Sequence, residues 1–558
     1  MDILLRGTNY TFAPQAGRKR SLENALADTA LNLGYQEIML PSVHAYDPDA
    51  PRSIRRIMDS AFKFVDYSGK VINLRYDMTE EVALLASQEL ALHPRPLKIF
   101  YLGKVFRRSC IDHKSLTESS QMGAEIFGAS GPEVDAEVIS TAVLCLKASG
   151  CEDFQIRVGH VGITDAIMEF INVPDSVRNK LRSFLMKRDM VALSNTLDGC
   201  QFDDPGIREL VKSVFGFPDG DDVLTSAERL SKLDKSGHIS TALTCFKQVL
   251  SRAEELNIRD LMKVDLGLIR DLDYYTGTVF EVYAFGQGGE LAGGGRYDGL
   301  MSMIGHPESA AGFAINIDRL FEATSEEFTN TSNGMKSERL TVAISAGRLF
   351  EEALTLFKDA GLPYEVDESS RKLKFEMDDY TYIISRPSDV PIYVSNGVAD
   401  LGIVGKDVIF ESGNDLCELL DLGFGKCRFV VAGPVQREQR LREIISSAGS
   451  STSVLKVATK FSRTTERFFA EKGVNIEVIP LKGAIELAPA TGLADVIVDI
   501  VSTGRTLKEN NLCILEEIYE TTARLVANRA SFGTKSELIK DMVAKIQSCL
   551  SRTNEGGI

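Results

Sequence analysis

The sequence predicts an antiparallel α+β core carrying a helical insertion, followed by an α/β unit with a substantially parallel sheet. Three observations carry this. Strand-like and helical runs are mixed before residue 324 but become mainly helical from His160 to Leu261. After residue 338, short apolar runs alternate with helical segments, the pattern of a sheet covered by crossover helices. Between them, Thr324–Glu338 (TSEEFTNTSNGMKSE) is polar, lacks apolar periodicity and contains Asn-Gly, which marks an exposed linker. The resulting division is 1–323, linker 324–338, and 339–558, within a 558-residue chain long enough for three or four structural units.

Taken in order, Gly17–Gly34 has helical apolar spacing, and Val71–Arg75, Lys98–Phe106 and Thr278–Ala284 read as strands. In the second half, Leu340–Ser345 is a β-branched run. Arg348–Ala360 has helical spacing, with Gly361 as its stop. Ala399–Val404, Cys427–Ala432, Val454–Ala458, Val474–Pro480 and Ala494–Val501 are further buried-strand candidates, and Thr464–Lys472 is helical.

Composition narrows the function. The chain carries 63 Lys+Arg against 79 Asp+Glu, net −16, which disfavours general nucleic-acid binding because neutralisation of phosphates drives it. Nine cysteines form no C-x-x-C pair, so free thiols in a reducing, cytoplasmic compartment are expected. No signal-peptide core or membrane span is recognisable. All six histidines precede residue 310, so chemistry in the second half must proceed without imidazole.

The segment GLADVIVDIVSTGRTLKENN (492–511) is the most informative. A buried strand ends in Ser502-Thr503-Gly504, and a helix is expected from Thr506. Free amides, hydroxyls and a helix N-terminus then point at one place, which suits an anion. On the residues alone, an ordinary strand–turn–helix with a threonine cap is an equal reading.

VDIVSTGRTLKENN resembles the phosphoribosyl pyrophosphate loop of ATP phosphoribosyltransferases, and four other segments resemble the same family in order. They are SRPSDVPIYVSNG (385–397), ADLGIVGKDV (399–408), LKVATKF (455–461) and LKGAIELAPATGLAD (481–495). The resemblance is to the short form. It implies a two-lobed, periplasmic-binding-protein-like α/β domain that transfers phosphoribosyl to N1 of ATP, with magnesium carried on the substrate rather than by direct protein ligation. It points to Arg371 and Arg386 as catalytic cations. Gly347, Arg348, Glu486, Asp495, Asp499, Ser502, Thr503, Gly504, Arg505, Thr506 and Leu507 would contact phosphoribosyl pyrophosphate or ATP. Ala346 stands where the family pattern has lysine.

The first half resembles the catalytic core of histidyl-tRNA synthetase, a class II enzyme. The resemblance lies in LRYDMTEE (74–81), IFYLGKVFRRS (99–109), ESSQMGAEIFG (118–128), RDLDYYTGTVFEVY (270–283), LAGGGRYDGLM (291–301) and AAGFAINIDRL (310–320). It implies a histidine site: Asp77, Thr79 and Gln121 at the α-amino group, Glu125 and Tyr275 at the imidazole, Tyr274 lining the pocket and Arg270 on the carboxylate side. Two departures oppose aminoacylation. The loop after Phe106 has Ser115 and Thr117 in place of arginines, and no anticodon-binding domain follows Leu320. The whole resembles a regulatory subunit fused to its transferase. It implies histidine feedback and a homotetramer, because the separate subunits assemble as four of each. The alternatives are a non-catalytic histidine or nucleotide sensor and a tRNA ligase.

Overall fold

The computed structural model describes residues 7–46, 61–107, 117–202, 204–217, 220–270, 274–325, 339–364, 372–377, 379–446, 454–501 and 504–555. The chain forms two compact units. Unit 1 comprises Met1–Arg339 with Asn396–Val398 and Asn528–Asp541; unit 2 comprises Leu340–Ser395, Ala399–Ala527 and Met542–Ile558. Of the expected linker, 326–338 lies outside the described residues.

Unit 1 contains β1 (Gln36–Glu37), β2 (Val43–Ala45), β3 (Lys63–Val65), β4 (Val71–Leu74), β5 (Leu97–Phe106) and β6 (Glu118–Phe127). They are followed by β7 (Phe154–His160), β8 (Met262–Val264), β9 (Thr278–Ala284), β10 (Ala292–Arg296) and β11 (Ala310–Asn316). Eight of these form one sheet in the order β1-β5-β6-β11-β10-β9-β7-β8, antiparallel except at its two edges. The helix Gln15–Asn32 falls within two residues of the expected span. It turns Leu22, Leu26 and Ala30 into the core shared with helix Pro132–Ala148.

The helical insertion runs from Val161 to Leu261, as expected. Local chemistry sets its boundaries. Asp189 and Asp204 accept amide hydrogens of Ala192 and Gly206, and Pro205 occupies the first helical position, where its missing N–H costs nothing. Buried Leu181, Leu185, Val211, Phe215, Leu243 and Phe246 join the insertion to the sheet's core. Helix Arg529–Thr534, capped by Asn528, also belongs to unit 1 and lays Phe532 5.3 Å from the Arg157 guanidinium.

Unit 2 is built on two sheets. The first contains β12 (Leu340–Ser345), β13 (Lys374–Met377), β14 (Tyr380–Ser385), β15 (Leu401–Gly405), β16 (Cys417–Asp421) and, later in the chain, β22 (Ala523–Ala527). The second contains β17 (Cys427–Pro434), β18 (Leu455–Thr459), β19 (Ile476–Pro480), β20 (Val496–Val501) and β21 (Leu512–Thr521). The orders are β13-β14-β12-β15-β22-β16 and β19-β18-β20-β17-β21.

Only β14-β12-β15 at the centre of the first sheet and β19-β18-β20 on one side of the second are parallel. The expectation of a substantially parallel sheet is therefore corrected to mixed sheets. β21 and β22 follow one another directly and pair antiparallel with β17 and with β15 and β16. Among the described residues no helix is long and apolar enough to cross a membrane.

Candidate functional site

In unit 2, the parallel strands end in segments that carry most of the residues singled out in the sequence. Gly347 and Arg348 follow β12, Arg386 follows β14, Glu486 follows β19 and Asp499 sits near the end of β20. Carboxyl ends of parallel strands are where α/β sheets leave crevices for ligands. Gly347 (φ 87°) turns the chain into helix Arg348–Asp359, and Gly504 (φ 74°) turns it into helix Arg505–Glu509; both need a residue tolerant of the left-handed region. The second helix is only five residues long, beginning one residue before the expected Thr506. Its dipole is accordingly small, and free backbone amides are the main donors it can offer.

The charged groups there are arranged unequally. Arg386 is exposed. Arg348 pairs with Glu352 at 3.0 Å and Arg505 with Glu509 at 2.8 Å, both along exposed helix faces. Thr506 is exposed, whereas Leu507 is buried in the core beside Val501. Asp499 is 9% exposed, and burial raises its carboxyl above the usual range, with nearby Glu486 adding to this. Lys460, the residue after β18, lies 3.6 Å from Asp499 Oδ1 and opposes that rise. Asp407, just past β15, is likewise raised by burial and opposed by its own amide, Val408, the Thr521 hydroxyl and Lys460. Arg348 and Asp407 both act on the half-buried Cys427 thiol.

Asp495 sits apart from this group. It accepts from Arg437 at 3.1 Å and from the Lys456 amide at 3.1 Å, and so fastens the start of β20. It lies about 13 Å back along the strand from Asp499, at ~3.3 Å per residue. Arg371, Ser502 and Thr503 lie outside the described residues. Lys460 and Asp407 stand within the motifs read in the sequence but received no role there. The available signal was position: each directly follows an apolar strand ending in a turn.

Unit 1 holds a second convergence. Glu125 on β6 is fully buried and accepts the Tyr101 hydroxyl at 2.8 Å and the Tyr297 hydroxyl at 2.6 Å. Burial pushes its carboxyl up to about 7 although both hydroxyls favour the charged form. Tyr101 also lies 3.2 Å from the Thr79 hydroxyl, and Asp77 accepts the Thr79 amide at 2.8 Å. Gln121 is buried four residues before Glu125 on the same strand. Tyr274 packs on Tyr275 and Tyr297, with ring centroids 5.0 and 5.8 Å away. Arg270 sits 5.9 Å from the Tyr275 ring, bonded to Glu290 at 3.0 Å and 3.5 Å from Glu281.

The structure thus brings Asp77, Thr79, Glu125, Arg270, Tyr274 and Tyr275 of the expected ligand site into one neighbourhood, whereas Gln121 lies about 13 Å back along β6 from Glu125, at ~3.3 Å per residue. The acidic groups lie toward Asp77 and the cation toward Arg270. The sequence reading gave no role to Tyr101 or Tyr297. Spacing carried no signal for them, because only the register of the folded sheet sets Tyr101 opposite Gly123 and Glu125 opposite Gly312. A Cβ on Gly312 would come within 1.6 Å of Glu125 Oε2, and one on Gly123 within 2.2 Å of the Tyr101 ring. Asp271–Asp273 lie outside the described residues.

Loops that gather amides, cations and carboxylates at parallel strand ends define unit 2 as an α/β enzyme domain suited to phosphate esters. The antiparallel sheet of unit 1 presents a buried polar site of a different kind. Comparisons with known proteins agree. Residues 8–320 match the family model for histidyl-tRNA synthetase, and residues 386–548 match that for ATP phosphoribosyltransferase. ATP phosphoribosyltransferase of Caldanaerobacter subterraneus is 46% identical over 38% of this chain and 98% of its own length. That of Moorella thermoacetica is 47% identical over 40% and 97%. A solved structure titled as an ATP phosphoribosyltransferase regulatory subunit/histidyl-tRNA synthetase from Bacillus halodurans aligns with TM-score 0.54 and 25% identity. It covers 69% of this chain and 99% of that one.

The chain belongs to the ATP phosphoribosyltransferase family in its second half and to the histidyl-tRNA synthetase family in its first, joined in one polypeptide. It is an ATP phosphoribosyltransferase, the enzyme of the first step of histidine biosynthesis. The first half has the class II synthetase-like fold.

Proposed function

We propose that unit 2 transfers the phosphoribosyl group to N1 of ATP in a two-lobed site and that unit 1 regulates it by binding histidine. The observation that supports the first part is the placement of Gly347 and Arg386 just past parallel strands of one sheet and of Asp499, with Gly504 after it, at the end of a parallel strand of the other. Adenine N1 has its own lone pair and attacks C1 of the ribosyl group directly, so no general base is required. Pyrophosphate leaves with the bonding electrons. The protein's task is electrostatic: to hold the ribose and to neutralise the departing charge.

In this reading Asp499 holds ribose hydroxyls, and Gly504 with the neighbouring Ser502 and Thr503 cradles phosphate. Arg371 and Arg386 meet the pyrophosphate, each charge-assisted contact contributing about 1.5–3 kcal/mol. Arg386 stands exposed at the end of β14, ready for an incoming anion. Magnesium on the substrate supplies Lewis-acid neutralisation of the diphosphate. In this reading the ion stays on the diphosphate, and nearby carboxylates such as Asp499 would meet it through its bound waters rather than as direct ligands.

For unit 1, a zwitterionic amino acid with an imidazole matches the groups present. Asp77 and Gln121 suit an ammonium, Arg270 a carboxylate, and Glu125 with Tyr275 a ring N–H. Histidine that binds better to a low-activity arrangement lowers activity, with reciprocal coupling. One assay decides. The protein is incubated with ATP, phosphoribosyl pyrophosphate and magnesium, with and without histidine. Phosphoribosyl-ATP that histidine suppresses is the expected result. No product under any condition indicates a sensor only, and charging of tRNA indicates a ligase.

A further inference from the structure

We propose that Lys460 is a substrate-binding residue of the transferase site, the cation that receives phosphate oxygens of phosphoribosyl pyrophosphate. The inference rests on the reaction proposed above and adds a residue to it. Lys460 follows the carboxyl end of β18, the strand that pairs parallel with β20, which carries Asp499 near its own carboxyl end. Its ammonium is 3.6 Å from Asp499 Oδ1, longer than a charge-assisted hydrogen bond, and the side chain remains 47% exposed. An ammonium has three donors. This pair holds the charge in place while leaving donors for an anion.

The backbone around Lys460 is fixed on both sides. Buried Thr459 donates its hydroxyl to the Val498 carbonyl at 2.8 Å and accepts the Phe461 amide at 2.9 Å. Glu411, from helix Lys406–Ser412, accepts the amides of Arg463 and Thr464 at 3.1 Å each, and so caps the helix that Lys460 precedes. The cation is paired with Asp499 of β20, and its charge is also felt by Asp407 at the start of the helix Lys406–Ser412.

Charge balance makes this position consequential. A diphosphate approaching Asp499, Asp407 and Glu486 meets three like charges. The nearby arginines Arg348 and Arg505 are paired along their own helices with Glu352 and Glu509. Among the described residues Lys460 is the lysine paired with Asp499, and it offsets that repulsion as the substrate approaches.

The test is steady-state kinetics of the full chain with each substrate varied in turn. Wild type is assayed first; if it forms no phosphoribosyl-ATP, the underlying reading falls. With wild type active, Lys460→Met should raise KM for phosphoribosyl pyrophosphate at least tenfold and leave KM for ATP within twofold. Lys460→Arg should recover most of the loss. Should Lys460→Met fail to fold, Lys460→Gln is measured in its place. A KM for phosphoribosyl pyrophosphate within twofold of wild type, or an equal rise for both substrates, overturns the inference alone.

Discussion

The hydroxyl of Tyr297 donates to Oε2 of Glu125 across 172 residues of sequence, at 2.6 Å. Tyr101 donates to the other oxygen, and the carboxyl is wholly enclosed. A buried acid tied at both oxygens has a fixed orientation, so a ligand N–H that reaches it meets a preorganised acceptor. Glu125→Gln keeps the shape but removes the charge. It should raise the histidine concentration for half-inhibition at least tenfold, with activity in the absence of histidine unchanged. Tyr297→Phe should move the same midpoint in the same direction by less. Calorimetric titration with histidine checks both.

The same residue makes stability depend on pH. Burial raises Glu125 from about 4.5 to about 7 and Glu80 to about 8, so the folded chain holds protons that the unfolded chain has released. Their contribution is present below pH 4.5 and lost as pH rises through 7 to 8. For Glu125 the loss is about 3 kcal/mol at ~1.4 kcal/mol per unit. His160, pushed down to about 4 by burial, acts oppositely, but below pH 6.5. Thermal unfolding between pH 6.5 and 8.5 should therefore show a falling midpoint. The fall should be shallower in Glu125→Gln, where Glu80 and Glu81, the latter also raised by burial to about 7, remain. Equal slopes would show that Glu125 is already ionised.

Gly312 is required by closeness rather than by backbone conformation. A methyl group there would overlap Glu125 Oε2 and stand 2.6 Å from the Ala124 carbonyl. Gly312→Ala should lower stability by about 1–3 kcal/mol, the usual range for overpacking. It should also abolish the histidine response at temperatures where the variant remains folded. Denaturant unfolding with an activity assay in parallel tests this.

In unit 2, Arg386→Ala and Asp499→Asn should each lower kcat for phosphoribosyl-ATP formation about 10²-fold or more, the scale for removal of one preorganised electrostatic contact. Asp495→Asn serves as a contrast. It loosens the start of β20, so a lower melting temperature with kcat within threefold of wild type is expected. A 10²-fold loss of kcat in Asp495→Asn would place it at the substrate instead.

Assembly is checked by light scattering. The fusion supplies one regulatory and one catalytic part per chain, so a mass about four times the 61.3 kDa chain is expected. A clean monomer would refute it.

Much of this protein was legible in its residues. Apolar runs located Thr278–Ala284 and Leu340–Ser345 to the residue and seven further strands within one or two, while 13 of the 22 described strands were not read from the sequence. β21 was missed because LCILEEIYET mixes acids into an exposed face and pairs with β17 through two bulges, which breaks the alternation a strand normally shows.

The sequence by itself determined the division into two unlike halves, the glycine at 504 from which a helix starts, and a second half that must work without histidine. Tertiary structure alone decided which side chains meet. Period-two alternation assigns a residue to a face but says nothing about its partner, so the register of Ile99, Glu125 and Gly312 on three neighbouring strands could not be read from spacing. Asp495 and Asp499 share one face of one strand by spacing, yet lie at opposite ends of it. It took the parallel packing of β18 against β20 to set Asp499, and not Asp495, beside Lys460. Long-range pairing fixes such neighbours because burial rewards a single register, and that reward exists only once the sheet has formed.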